Sequence, residues 1–166
     1  LLCVLTAFLG GALQAARTEE VPRAASSAYV ANERAGTVST FHIDPATGAL
    51  TPVAAAGIAT DKNPYSVTVD PAGRWVYVTH GDASSIVALS INPTDGELKP
   101  APISRTATGD YAVSAAIDLA GRFLYVSTMV ANAIAGYTIN PTTAVLTPVA
   151  GSPFAAGTRP YGNAIP

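Results

Sequence analysis

The sequence predicts an all-β fold, a β-propeller of four-stranded antiparallel blades, and three observations carry that expectation. The first is a repeat. A shift of 48 residues superposes Tyr29, Tyr77 and Tyr125, then Ile43, Ile91 and Ile139, then Pro45, Pro93 and Pro141. It also superposes Leu50, Leu98 and Leu146, and Pro52, Pro100 and Pro148, with no gap from Tyr29 through Pro148. The second is that no stretch sustains a 3.6-residue apolar period with caps at its ends, which disfavours helical repeats of similar length. The third is that each copy holds four short strands, the unit that repeats every 40 to 50 residues around a propeller.

The middle copy shows why each element forms. Tyr65 to Val69 alternates apolar and small polar residues and reads as a strand. Asp70-Pro71-Ala72-Gly73 then turns the chain: Pro71 presets φ, the Asp70 carboxylate caps the turn, and Gly73 tolerates positive φ. Trp75 to Thr79 is the second strand and His80 to Ser85 a polar loop. Ile86 to Ile91 is the third, and Asn92 to Gly96 turns the chain into a fourth strand from Glu97. Consecutive apolar residues such as Trp75-Val76-Tyr77-Val78 fit a strand buried on both faces. A parallel β-helix would show shorter coils, and a β-sandwich would lack the strict period.

The blades divide as 28–64, lacking its first strand, then 65–110 and 111–160, with 161–166 opening a further blade. About three blades of seven are thus expected, since closure at this repeat length needs roughly 340 residues. Further blades, or another copy, are expected to cover the open blade faces. Residues 17–27 read as a linker, and 1–16 as the remnant of a signal peptide: Leu1 to Leu13 is almost wholly apolar and Leu13-Gln14-Ala15 brings small residues before Arg17. A span of 13 residues covers roughly 20 Å as a helix, short of the roughly 30 Å bilayer core, so no stable membrane span is expected. Export to a periplasmic or extracellular space follows.

Composition narrows the functions. Lys plus Arg number 9 against 11 Asp plus Glu, for a net charge of −2 without like-charge runs, which speaks against nucleic acid as a partner. The single cysteine, Cys3, excludes a disulfide framework and a cysteine zinc site within one chain. Only His42 and His80 remain as soft ligands.

Tyr29-Val30-Ala31-Asn32, Tyr77-Val78-Thr79 and Tyr125-Val126-Ser127 are each followed by an Ile-Asp/Asn-Pro turn and a Leu-x-Pro, as in Ile43-Asp44-Pro45 with Leu50-Thr51-Pro52. Gly151-Ser152-Pro153-Phe154, running to Tyr161, approaches a new blade in the same manner. This pattern resembles the lactonase-like seven-bladed β-propellers, the family of bacterial 6-phosphogluconolactonase, over nearly all of Tyr29 to Pro166. Tyrosine-valine repeat propellers of exported surface proteins share much of it. The resemblance implies a hydrolase that opens a small-molecule sugar lactone, with no metal or organic cofactor expected. It also implies a histidine after the proline that opens an inner strand, and here Pro64, Asp110 and Pro160 are followed by Tyr65, Tyr111 and Tyr161 instead. The alternative is a non-catalytic exported propeller that serves as a binding or interaction scaffold.

Loops after the second and fourth strands share one rim and vary between copies, the place where function sits on a rigid scaffold. Asn32-Glu33-Arg34, His80-Gly81-Asp82 and Thr128-Met129-Val130 are equivalent there. Lactone opening needs a base to activate water and cations to hold the developing oxyanion. His80 with Asp82 is one candidate base and orienter, and Glu33 a second base. The plainer alternative for each is a solvated polar residue. Arg34, Lys62 and Arg159 are candidate anion contacts, or simply solubilising charges. Tyr65, Tyr111 and Tyr161 begin successive inner strands, where they stack on a sugar or pack on the neighbouring blade. His42, between Phe41 and Ile43, reads as inter-blade packing, and no Gly-x-Ser-x-Gly elbow supports covalent catalysis.

Overall fold

The repeat in the sequence is also a repeat of backbone conformation. The computed structural model describes residues 26–99 and 104–166; the apolar leader and nearly all of the expected linker lie outside them. Left-handed φ angles recur at the repeat spacing, as at Gly48 (71°), Gly96 (74°) and Ala144 (57°), and again at Asn63 (61°), Tyr111 (60°) and Arg159 (53°). Identical main-chain bonds close the turns: the N–H groups of Gly48, Gly96 and Ala144 donate to the carbonyls of Asp44, Asn92 and Asn140 at 2.8, 2.8 and 2.9 Å. The turn geometry is therefore kept even where alanine replaces the residue best suited to it.

Three antiparallel sheets result. Blade 1 holds β1 (Ser27–Asn32), β2 (Thr37–Ile43), β3 (Leu50–Pro52) and β4 (Ile58–Ala59). Blade 2 holds β5 (Pro64–Val69), β6 (Trp75–His80), β7 (Ser85–Ser90) and β8 (Ser104–Ala107). Blade 3 holds β9 (Ala112–Ile117), β10 (Phe123–Thr128), β11 (Ala133–Ile139), β12 (Leu146–Pro148) and β13 (Phe154–Ala155). Neighbouring strands pair antiparallel, for example Tyr77 opposite Ala88 and Tyr125 opposite Gly136, with register shifts where β5 and β9 begin.

The outer strand differs from expectation. It forms in two pieces rather than one: β3 and β4 both pair with β2, and β12 and β13 with β11. In blade 2, Leu98 makes an isolated bridge to Ile91 before β8 takes over. Pro52 and Pro148, where β3 and β12 end, have no N–H to carry the ladder on, and a sheet edge is where proline is tolerated.

Blade 2 is buried on both faces, and strand alternation divides its residues between two cores. Val76, Val78, Val87 and Leu89 join Val38 and Leu98 between blades 1 and 2. Tyr77, Ile86 and Ala88 join Leu124, Val126, Ala135 and Tyr137 between blades 2 and 3. Each buried valine, leucine or isoleucine among them contributes about 1.5–3 kcal/mol. The inner hairpin is tied by its acid: buried Asp70 accepts the main-chain N–H of Arg74 and of Trp75 (2.8 Å) through Oδ1 and meets the Arg74 guanidinium at 3.3 Å. Asp118 repeats the arrangement with Arg122 and Phe123.

Asp70→Ala removes a buried acceptor shared by two main-chain donors and is expected to lower unfolding stability by about 1–3 kcal/mol in urea titrations. Asp118→Ala, in the more exposed copy, is expected to cost less. Equal effects at the two sites would contradict a role set by burial.

Candidate functional site

The links that join one blade to the next position the rim. Each link is fastened to the loop of the blade before it: the N–H groups of Thr60, Thr108 and Ala156 donate to Gly36, Ser84 and Asn132 at 2.9, 3.0 and 2.9 Å. The first two are also fastened to the blade after them, Gly81 N–H donating to Asn63 O (3.1 Å) and Met129 N–H to Tyr111 O (3.0 Å). The left-handed residue of the link sits between these bonds. Its φ turns the side chain back over the previous blade: Tyr111 rests on Gly81, and Arg159 reaches the Met129 sulfur at 3.5 Å.

Between blades 1 and 2 these loops enclose an open cleft of about 450 Å³ lined by Glu33, Arg34, Gly36, Lys62, Asn63 and Asp82. Four of the residues singled out from the sequence, Glu33, Arg34, Lys62 and Asp82, are thus brought together. Asn63 was not foreseen; it enters through its left-handed link position.

Beside the cleft, Tyr65 and Tyr111 meet edge to face with ring centroids 5.5 Å apart and hydroxyls 3.0 Å apart. Gly81 makes the meeting possible, since a Cβ there would lie 2.8 Å from the Tyr65 ring and 2.9 Å from that of Tyr111. The hydrogen bond to Tyr111, then burial, then the nearby Tyr111, Glu33 and Tyr161 push the Tyr65 phenol up to about 12. Tyr161 is close enough to take part in this field and is mostly exposed. The three tyrosines are not equivalent, however. At the repeat spacing Tyr65 matches Val113 and Tyr161, whereas Tyr111 matches Asn63 and Arg159. Tyr111 belongs to the link, one residue before β9.

His80 is placed differently from the loop position that the sequence suggested. It ends β6, shares its face with Val76 and Val78, and is fully buried, with main-chain groups of Ser85 and Val78 beside its ring. It therefore has no solvent access, and Asp82, exposed on the cleft, is not placed as its orienter. Burial holds the imidazole below its ordinary range; Asp61 and main-chain groups of Ser85 and Val78 oppose that, and Arg105 adds to it. Arg159 donates its main-chain N–H to Asn132 Oδ1 (2.7 Å) and stays over blade 3, away from the cleft. His42 lies in β2, half-buried, with Nδ1 unpartnered.

Sequence reasoning missed a neighbouring network. Asp61 accepts Ser85 Oγ (2.8 Å) and pairs with Arg105 Nε (2.5 Å). Burial raises the Asp61 carboxyl, but the hydrogen bonds from Arg105 and Ser85 and the charges of Arg105 and His80 outweigh it, and the net shift is downward. The repeat carried the signal that could have found it: Asp61 aligns with Gly109 and Gly157. Among the described residues, no group of three or more His, Cys, Asp and Glu side chains is placed to hold a metal ion. No helix among them is long and apolar enough to cross a membrane.

Blades of this size, with a variable polar rim on short links, define a propeller scaffold with an open polar cleft on that rim. The chain belongs to the family described as Lactonase, 7-bladed beta-propeller, whose profile matches residues 21–106 and 67–160. The fold is similar to a proposed 6-phosphogluconolactonase of Bacteroides fragilis (TM-score 0.73, 22% identity, 82% of this chain and 37% of that one). It is similar too to a proposed 6-phosphogluconolactonase of Bacteroides uniformis (TM-score 0.72, 23% identity, 81% and 38%). The periplasmic gluconolactonase of Pseudomonas aeruginosa matches with TM-score 0.67 and 19% identity over 80% of this chain and 37% of its own. The chain thus spans less than two fifths of the length of these three structures. No curated protein matches it.

Two measurements check this geometry. Tyr111→Phe removes the largest cause of the raised Tyr65 phenol, so its titration, followed by NMR of ring-labelled tyrosine, should fall from about 12 toward 10. No change would contradict the pairing. The buried site favours neutral His80, so its contribution to stability is complete above the ordinary value of 6.5 and is lost as pH falls through the lowered folded value. His80→Gln should therefore flatten the loss of stability between pH 7 and 5 in denaturation curves; an unchanged slope would contradict it.

Proposed function

We propose that the protein is an exported lactone hydrolase that opens a sugar lactone in the cleft between blades 1 and 2. The observation that carries this reading is that a lactonase-family propeller gathers a carboxylate, Glu33, and two cations, Arg34 and Lys62, around one cleft of substrate size on its variable rim. The fold neighbours include a periplasmic gluconolactonase, which supports both the lactone and export.

In this reading Glu33 takes a proton from water as the water oxygen attacks the lactone carbonyl carbon. The carbonyl oxygen becomes an oxyanion, which Arg34 and Lys62 stabilise. The carbonyl then re-forms as the ring C–O bond breaks, and the ring oxygen leaves as a hydroxyl after taking a proton back from Glu33. The product is an open-chain hydroxy acid. Its new carboxylate meets the same cations. Tyr65 and Tyr111 offer an aromatic wall on which the sugar face stacks, which Tyr161 extends. Asp82 is a second carboxylate on the cleft, and Arg159 a more distant cation for anionic substituents. The chemistry calls for no cofactor. His80, buried in this structure, has no step.

Glu33→Gln is expected to lower kcat for δ-lactone hydrolysis by about 10²–10⁴-fold in the full-length protein, with chelator leaving the wild-type rate unchanged. Arg34→Ala and Lys62→Ala should raise KM. Hydrolysis by the wild type no faster than the spontaneous reaction would overturn the enzyme reading and leave an exported binding scaffold in its place.

A further inference from the structure

The three links provide an internal control, because they share the main-chain bond to the preceding blade while their side chains vary. At the position of Asp61 the other two links carry Gly109 and Gly157. Those links keep their hydrogen bonds to Ser84 and Asn132 without any side chain there. The fold therefore does not require an acid at this position.

The partners of Asp61 are equally particular to blade 2. Arg105 aligns with Gly57 and Pro153, Ser85 with Thr37 and Ala133, and His80 with Asn32 and Thr128. In blades 1 and 3 the residue at the His80 position closes its own hairpin: Asn32 Nδ2 donates to Thr37 Oγ1 at 3.1 Å, and Thr128 Oγ1 to the Ala133 carbonyl at 3.0 Å. In blade 2 Ser85, opposite the buried His80, turns its hydroxyl out of the hairpin to Asp61 on the link. Asp61 itself sits immediately before Lys62 and Asn63, which line the cleft.

Asp61–Arg105 is also the one ion pair among the described residues that joins distant parts of the chain; Arg74–Asp70 and Arg122–Asp118 each lie within a single hairpin. We propose that Asp61 is a positioning residue: Arg105 and Ser85 hold it from blade 2 so that the link keeps Lys62 and Asn63 at the cleft. The proposal rests on the reading of that cleft as the substrate site. It adds that the site depends on a side-chain tether which the other two links lack.

The test uses the substitution that the repeats themselves supply. Asp61→Gly gives this link the residue that its two counterparts already carry, and Asp61→Asn keeps the size while removing the charge. In the full-length protein, hydrogen–deuterium exchange of the segment 60–64 is expected to rise several-fold in both variants, with the segment 108–112 unchanged as the control. KM for a δ-lactone is expected to rise about tenfold with kcat changed less than twofold, and Asp61→Glu should recover part of the loss. Unchanged exchange at 60–64 overturns the tether whether or not lactones are substrates. Faster exchange with KM unchanged, where Lys62→Ala does raise KM, overturns the positioning role and leaves the cleft reading standing. An unchanged KM in both Asp61→Gly and Lys62→Ala overturns both.

Discussion

A strand buried on both faces has no side left for water, and most of this molecule follows from that constraint. Blade 2 lies between two apolar cores, so Val76 and Val78 on one side and Tyr77 on the other leave β6 no solvated position along its middle. Polar chemistry is pushed to the strand ends, and the strand ends lie on the two rims. One rim carries turns fixed by left-handed residues and acid caps such as Asp70, which admit little variation. The other carries the links and loops, where only main-chain bonds are constrained. Side chains are free to change there, and Glu33, Gly81 and Met129 occupy the same place in successive blades.

That freedom explains how a repeat so regular can build a site that is not repeated. The main-chain bonds from link to loop are the same at each junction, yet the residue turned back over the previous blade is Asn63, Tyr111 or Arg159. The first junction surrounds its opening with both acids and cations. Only the second has a glycine beneath its link residue, which lets two tyrosines meet. Repetition supplies the frame, and departures from it supply chemistry.

The fold was legible because its signals are local and recur: proline and glycine turns at fixed offsets, and strands apolar at consecutive positions. The break in the outer strand was harder to see. It depends on the missing N–H of prolines such as Pro52 in a ladder that sequence alone shows only as Leu-x-Pro. Glu33, Arg34, Lys62 and Asp82 were found through their loop positions. His80 was misplaced because it borders polar residues, although its parity with Val76 and Val78 turns it into the inter-blade core. Tyr111 was grouped with Tyr65 and Tyr161 by its aromatic ring, when the 48-residue spacing sets it among the link residues instead. Asp61 gave no motif at all. The repeat marks it only as a departure from Gly109 and Gly157, and its partner Arg105, 44 positions away, comes into view when the chain is folded.

The cleft between blades 1 and 2 is the centre of the functional reading, and its occupancy can be observed directly. The decisive measurement is a crystal structure of the full-length protein soaked with the open-chain hydroxy acid that lactone hydrolysis releases. The product carboxylate is expected between Arg34 and Lys62, with its carbon chain along Tyr65. Product bound elsewhere, or a cleft that stays empty at saturating concentration, would contradict the site.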